Sequence, residues 1–287
     1  VPVKRGRPLK SEVLHATQEA AIARLTGQPI RPAYKKETPE EQFAILMQHY
    51  RDRLRAEANP WQHSFTRFRT ELCWTKDEAG GGKVQLIPDW PYLRHVDDML
   101  VERTPLLITK SRRTLITWTG CAFLLWIAAG GQDPRWPQLM NATGNRKCIL
   151  AAQKFRGENG SSEILNERIG FLVKQFEENG GREKWPNFPQ FVWTRERARL
   201  SNGTVIAAVP QGENQLRGSG VTIILADELG AWEEARASVC SALQTCRGGG
   251  HLVAISTAAY PSFAAQIVSG EVRGKTARPI QVEMEEE

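Results

Sequence analysis

Residues 221–228 read Val221-Thr222-Ile223-Ile224-Leu225-Ala226-Asp227-Glu228, an apolar run closed by two adjacent carboxylates. Branched and apolar residues over this length favour a strand buried on both faces, as in a parallel sheet. A parallel α/β sheet binds ligands at the carboxyl ends of its strands, which is where Asp227 and Glu228 would stand. Successive side chains leave a strand on opposite sides, so neighbouring acids can hold different jobs. In a nucleotide hydrolase the first would hold Mg²⁺ and the second would polarise the attacking water. A buried strand reaching a polar turn explains the octet equally well, so the flanking sequence has to decide.

On both sides of it, short apolar runs alternate with helical stretches. Residues 106–109 are followed by a helical pattern at 117–129, and 148–152 by one at 164–176. Further runs lie at 204–209, 221–226 and 252–256, with a helical stretch between the last two. This alternation predicts an α/β sheet of mainly parallel strands with helices on both faces.

Between the first strand and its helix stands Lys110-Ser111-Arg112-Arg113-Thr114-Leu115-Ile116-Thr117-Trp118. A strand, a loop of cations and hydroxyls, then a helix start describes a phosphate cradle, because helix N-termini offer unpaired N–H groups and a positive dipole end. Lys110 supplies charge, and Thr117 could give its hydroxyl to Mg²⁺. The GxxxxGK[ST] pattern is not met: Lys110 and Leu115 stand where that loop has glycine, and Ile116 where it has lysine. A third strand, His251 to Thr257, ends in the hydroxyls of Ser256 and Thr257. A glycine-bearing loop at 211–220 carries Arg217, placed to reach a phosphate in its own or a neighbouring subunit.

The chain has 287 residues, 41% hydrophobic and 24% charged, with a formal charge of +6. That suits one large domain or two small ones and excludes a disordered chain. The longest apolar run, 115–129, is about fifteen residues and is broken by Thr117, Thr119 and Gly120, so it reads as a buried helix and not a membrane span. The N-terminal VPVKRGRPLK is basic with no apolar segment behind it, unlike a secretory signal. The five cysteines are odd in number and form no CxxC pair, which points to reduced thiols with neither a disulfide framework nor a zinc site. Residues 1–37 read as a basic tail and 38–100 as an N-terminal helical region, in which Thr38-Pro39-Glu40-Glu41 starts a helix carrying Phe43, Leu46, Met47 and Tyr50. Residues 59–82 read as loop, 101–270 as the core, and 271–287 as a linker.

In this order the features resemble the ATPase domain of the tailed-phage large terminases, over residues 84–270. Lys110, Arg112, Thr117 and Trp118 match that family's phosphate loop, in which lysine moves to the start; Leu115 replaces the family's glycine. Asp227 and Glu228 match its Walker B aspartate and catalytic glutamate, and Ser256-Thr257 its coupling motif. Leu216-Arg217-Gly218 is similar to the segment bearing the arginine that acts in trans, and Arg112 to the phosphate-contacting arginine that acts in cis. The resemblance implies that ATP binds along residues 110–117, from Lys110 and Ser111 through Arg113, Thr114 and Leu115 to Thr117. Upstream, Trp90 or Tyr92 could stack on the adenine, since aromatic faces tolerate any purine.

The implied fold is a P-loop NTPase of the ASCE type with an N-terminal helical and basic extension. The implied activity is ATP hydrolysis with Mg²⁺, held by Thr117 and Asp227, driving double-stranded DNA into a procapsid in the host cytoplasm. The implied partners are DNA, the portal and procapsid, a small terminase subunit, and a homo-oligomeric ring, commonly a pentamer, with no membrane. A nuclease activity is not expected within these residues. Two other readings stand beside it. A helicase-like remodelling ATPase would need a second RecA-like half. A scaffold that binds DNA or the portal without hydrolysis suits the glycine-free loop but leaves Glu228 unexplained.

Overall fold

The computed structural model describes residues 59–281, apart from 78–81, 103–104, 113, 137–144, 218–219, 248, 258–261 and 270–277. The basic tail and the helix expected from Thr38 lie outside the described residues. Ser64 opens α1 (Phe65–Leu72), its hydroxyl accepting the Arg67 N–H at 3.3 Å. This helix corrects the reading of 59–82 as loop. Phe65, Phe68 and Leu72 recur at helical spacing and are buried, but threonines and arginines between them blur the pattern. A short antiparallel pair follows, β1 (Trp74–Asp77) and β2 (Lys83–Leu86), then α2 (Pro91–Val101), which carries proline in its first turn.

The main sheet begins with β3 (Leu106–Lys110), which leads into α3 (Ile116–Ala129), all of whose residues are buried. Among the described residues no helix is long and apolar enough to cross a membrane. After β4 (Lys147–Ala152) comes α4 (161–178), which is α-helical at Ser161–Glu163, π-helical at Ile164–Ile169 and α-helical again at Gly170–Glu178. A single turn, α5 (Gly181–Lys184), precedes β5 (Phe191–Trp193), β6 (Arg197–Leu200), β7 (Val205–Pro210) and β8 (Val221–Ala226). Then come α6 (Ala235–Cys246), β9 (His251–Thr257), α7 (Phe263–Val268) and β10 (Arg278–Gln281).

The eight strands lie in the order β10-β3-β9-β8-β4-β7-β6-β5. From β10 to β7 every pair is parallel, and β6 and β5 add an antiparallel edge. Residues 278–281, inside the stretch expected as linker, thus form an edge strand. The two-sided burial read from the octet is visible in the core: Ile223 and Leu225 pack with α1 to α4, whereas Ile224 and Ala226 pack with α6 and α7. Gly120 sets how closely α3 lies on this sheet, since a Cβ there would stand 2.7 Å from Ile255 Cδ1 and 3.2 Å from Leu225 Cδ1. The strand order brings the loop after β3 against the ends of β9 and β8.

Candidate nucleotide site

At that edge lies a cavity of about 1130 Å³, bordered by the β3–α3 loop and the ends of β4, β8 and β9. Asp227 is fixed by its backbone: its N–H donates to the Ala151 carbonyl at 2.9 Å, and Trp232 Nε1 donates to its carbonyl at 2.9 Å. The residue is 3% exposed. The Thr117 hydroxyl donates to Asp227 Oδ1 at 3.1 Å, while Oδ2 has Arg168 Nη1 at 3.9 Å. Burial pushes the Asp227 carboxyl above the usual carboxylate range, and Arg168 offsets this only in part.

Glu228 is tied more tightly. Lys110 Nζ donates to its Oε1 at 2.6 Å, Thr257 Oγ1 donates to the same oxygen at 2.9 Å, and the Thr257 N–H donates to Oε2 at 2.8 Å. Partial burial raises this carboxyl, but the Lys110 and Thr257 hydrogen bonds outweigh it and hold it below its ordinary value. Behind them, Ser256 Oγ accepts the Gly230 N–H at 2.9 Å, so β9 grips the turn that follows Glu228.

Two backbone outliers border the cavity. Leu115 and Glu228 both have positive φ, 58° and 51°; the other non-glycine cases among the described residues are asparagines, Asn145 and Asn159, which tolerate it. Leu115 occupies the position before α3, so the loop takes the left-handed turn without a glycine, at about 1–2 kcal/mol. The loop is braced from behind, with Tyr92 Oη donating to the Thr114 carbonyl at 3.0 Å and Thr114 Oγ1 to the Ser111 carbonyl at 3.2 Å. No side-chain hydrogen bond caps α3, and its first residues, Ile116 to Trp118, line the cavity, an arrangement that suits an anion.

Of the residues expected from sequence, Lys110, Arg112, Thr114, Leu115, Ile116 and Thr117 line the cavity, as do Asp227, Glu228, Thr257 and Trp90. Ser111, Tyr92 and Ser256 support it without lining it. Of the two aromatics expected beside the base, Trp90 lines the cavity, whereas Tyr92 does not and donates its hydroxyl to the loop. Arg217 is exposed, pairs with Glu213 and lies outside the cavity of its own chain. Arg113 lies outside the described residues. Sequence reasoning missed Arg168, Lys76 and Gln85 and gave no role to Gln153 and Lys154, which also line the site. Gln153 and Lys154 had a signal, the polar break just after the apolar run of β4; Arg168, one charge in an amphipathic helix, had none.

Among solved structures, the large terminase of bacteriophage HK97 superposes with a TM-score of 0.50 over 72% of this chain and 40% of that one, at 16% identity. Over that stretch the fold of this chain is similar to that of part of a phage large terminase. The chain spans about 40% of the length of the HK97 terminase that it matches. The ATPase domain of the Thermus phage P74-26 large terminase is similar over 63% of this chain and 69% of that one, at 12% identity and a TM-score of 0.43. No family model and no curated protein matches the chain.

Proposed function

We propose that this chain is the ATPase motor part of a terminase, hydrolysing ATP with Mg²⁺ to move double-stranded DNA into a procapsid in the host cytoplasm. One observation carries the reading: Thr117 and Lys110, from either end of one loop, meet Asp227 and Glu228 through hydrogen bonds of 3.1 and 2.6 Å. A hydroxyl beside a carboxylate, and a lysine beside a second carboxylate, at an uncapped helix start is the equipment for binding and cleaving a phosphoanhydride.

The oxygen donors fit Mg²⁺, because the Thr117 hydroxyl and the Asp227 carboxylate stand together at the cavity, with Oγ1 3.1 Å from Oδ1. Thr117 and Asp227 would hold the ion, which supplies neutralising charge at the terminal phosphate. Glu228 activates the attacking water, but in the present arrangement Lys110 and Thr257 occupy both of its oxygens. In this reading Lys110 is the partner that moves. When its ammonium turns to phosphate, Glu228 loses the hydrogen bond that lowers its basicity and becomes a better proton acceptor. Substrate arrival and base activation are thereby coupled through one lysine. Arg112 contacts phosphate from its own chain, and Arg217 reaches the site of a neighbour in a ring, which explains its distance from its own cavity. Trp90 offers a face to the base. Ser256 and Thr257, attached to both Glu228 and the turn after it, relay the state of the site along β9.

The test is DNA-stimulated ATP hydrolysis at rising protein concentration, wild type against Glu228→Gln. Loss of a general base predicts a fall of about 10²–10⁴-fold, and completion by a neighbour's Arg217 predicts a rate that grows faster than linearly with protein. Equal hydrolysis by both proteins would falsify the assignment of Glu228. Binding of Mg-ATP without turnover in either would favour the scaffold reading.

A further inference from the structure

Arg168 is one of three cations of the cavity, with Lys76 and Lys154, that the reaction described above does not use. It sits in the π-helical stretch Ile164–Ile169 of α4, between flanking α-helical segments. Such a widened turn inside a helix recurs at functional sites because it re-aims the side chains it carries. The guanidinium lies 5.9 Å from the Trp118 ring centroid, over the first turn of α3, and Trp118 is braced edge-on by Phe171 at 5.6 Å. Its Nη1 is buried and has no hydrogen-bond partner among the described residues; its nearest acid oxygen, Asp227 Oδ2, is 3.9 Å away, beyond hydrogen-bond range. Arginine presents five donors in a rigid fork that matches phosphate geometry. Here the fork is held at the acid that pairs with Thr117, with a buried donor unspent, while Lys110 engages the other acid.

We propose that Arg168 is a second cis-acting phosphate contact, which stands beside Asp227 and bonds to the terminal phosphate group of a bound nucleoside triphosphate. The proposal rests on the nucleotide-site reading above and adds a residue to it. A residue that only supports Asp227 would affect tri- and diphosphate alike, whereas a contact to the terminal phosphate separates them.

The experiment is calorimetric titration of the full chain with a non-hydrolysable ATP analogue and with ADP, both with Mg²⁺, for wild type, Arg168→Gln, Arg168→Ala and Arg168→Lys. The expected result is a loss of about 10- to 100-fold in analogue affinity for the glutamine and alanine variants, the range of a charge-assisted hydrogen bond, with ADP affinity changed less than about threefold. Lysine should restore part of the loss, since it keeps the charge without the fork. Arg168→Gln, close in length to arginine, guards against misfolding of the alanine variant, and thermal melts verify that each is folded. Equal losses for both nucleotides, or no loss for either, would overturn the proposal while leaving the nucleotide site intact. A wild type that binds neither nucleotide would sink the underlying reading, and Arg168 with it.

Discussion

Asp97 and Asp227 are equally hidden from water, at 1% and 3% exposure, yet they are met very differently. Asp97, on α2, receives Arg69 Nε on both oxygens at 2.8 and 2.9 Å, and Arg69, on α1, is itself fully buried, with Nη1 donating to the Pro88 carbonyl. Asp227 receives one hydroxyl at 3.1 Å and a guanidinium no nearer than 3.9 Å. A buried charge is expensive unless partners replace its water. Asp97 finds them inside the chain and ties two helices together. Asp227 is left short, and a stable fold retains such a deficit where a ligand is meant to fill it. On the proposed reading the matched acid is architecture and the unmatched one is a site.

The largest effect should come from breaking the matched pair. Arg69→Ala leaves Asp97 buried without its counter-ion, which costs about 3–5 kcal/mol and lowers the melting temperature by about 6–20 °C. Thermal unfolding followed by circular dichroism measures it. A variant that melts within a degree or two of wild type would show that Asp97 is not held by Arg69, and the contrast would lose one arm.

The same kind of charge removal at the unmatched acid should act in the opposite sense. Asp227→Asn should melt at or above wild type, by up to about 2 kcal/mol, since relief of a functional strain commonly stabilises by that much. Its Mg²⁺-dependent hydrolysis should fall by about 10²-fold or more, because the metal's share of transition-state stabilisation is several kcal/mol. A melting loss as large as that of Arg69→Ala would place Asp227 among the structural charges.

Acidity sharpens the point with a smaller signal. The Asp227 carboxyl titrates above the ordinary value near 4, so between that value and its own the folded state holds a proton that the unfolded chain has lost. Stability from this group therefore falls as pH rises through that window, and the advantage of Asp227→Asn should be near zero below about pH 4 and grow above it. Glu228 carries the opposite sign: its folded value is depressed, so its contribution is present above about pH 4.3 and is lost as pH falls through the folded value. Melting curves of Asp227→Asn and Glu228→Gln across this range should diverge from wild type in opposite directions.

Much of this was readable in the sequence where burial is two-sided. The strand leading to Asp227 and Glu228 is apolar but for Thr222 because helices cover both faces of β8, and α3 is buried along its whole length for the same reason. Legibility failed where a charge is buried by a distant partner. Arg69 makes α1 look like a polar loop, because the acid that permits its burial lies 28 residues away. The bond between Lys110 and Glu228 spans 118 residues, so the motifs named both groups without showing that one restrains the other. Trp90 and Tyr92 looked interchangeable until the start of α2 turned one ring to the cavity and the other hydroxyl to Thr114. Arg168 required the π turn, which no local pattern announces.

The smallest expected effect concerns the loop between the two acids' partners. Leu115 holds φ 58° where a glycine would adopt that backbone freely, and it also packs partly against the core. In an ordinary helix, alanine is more stable than glycine by about 1 kcal/mol. At a left-handed position the order inverts, because alanine keeps the Cβ clash that glycine lacks. Leu115→Gly should therefore be more stable than Leu115→Ala by about 1 kcal/mol, as read from urea unfolding, with both near or below wild type for the lost packing. The usual order, alanine above glycine, would mean that the left-handed turn is not kept in solution. If glycine leads and nucleotide affinity is unchanged, the loop's shape is set by α3 and the Tyr92–Thr114 bond, and the missing glycine does not cost this chain its phosphate site.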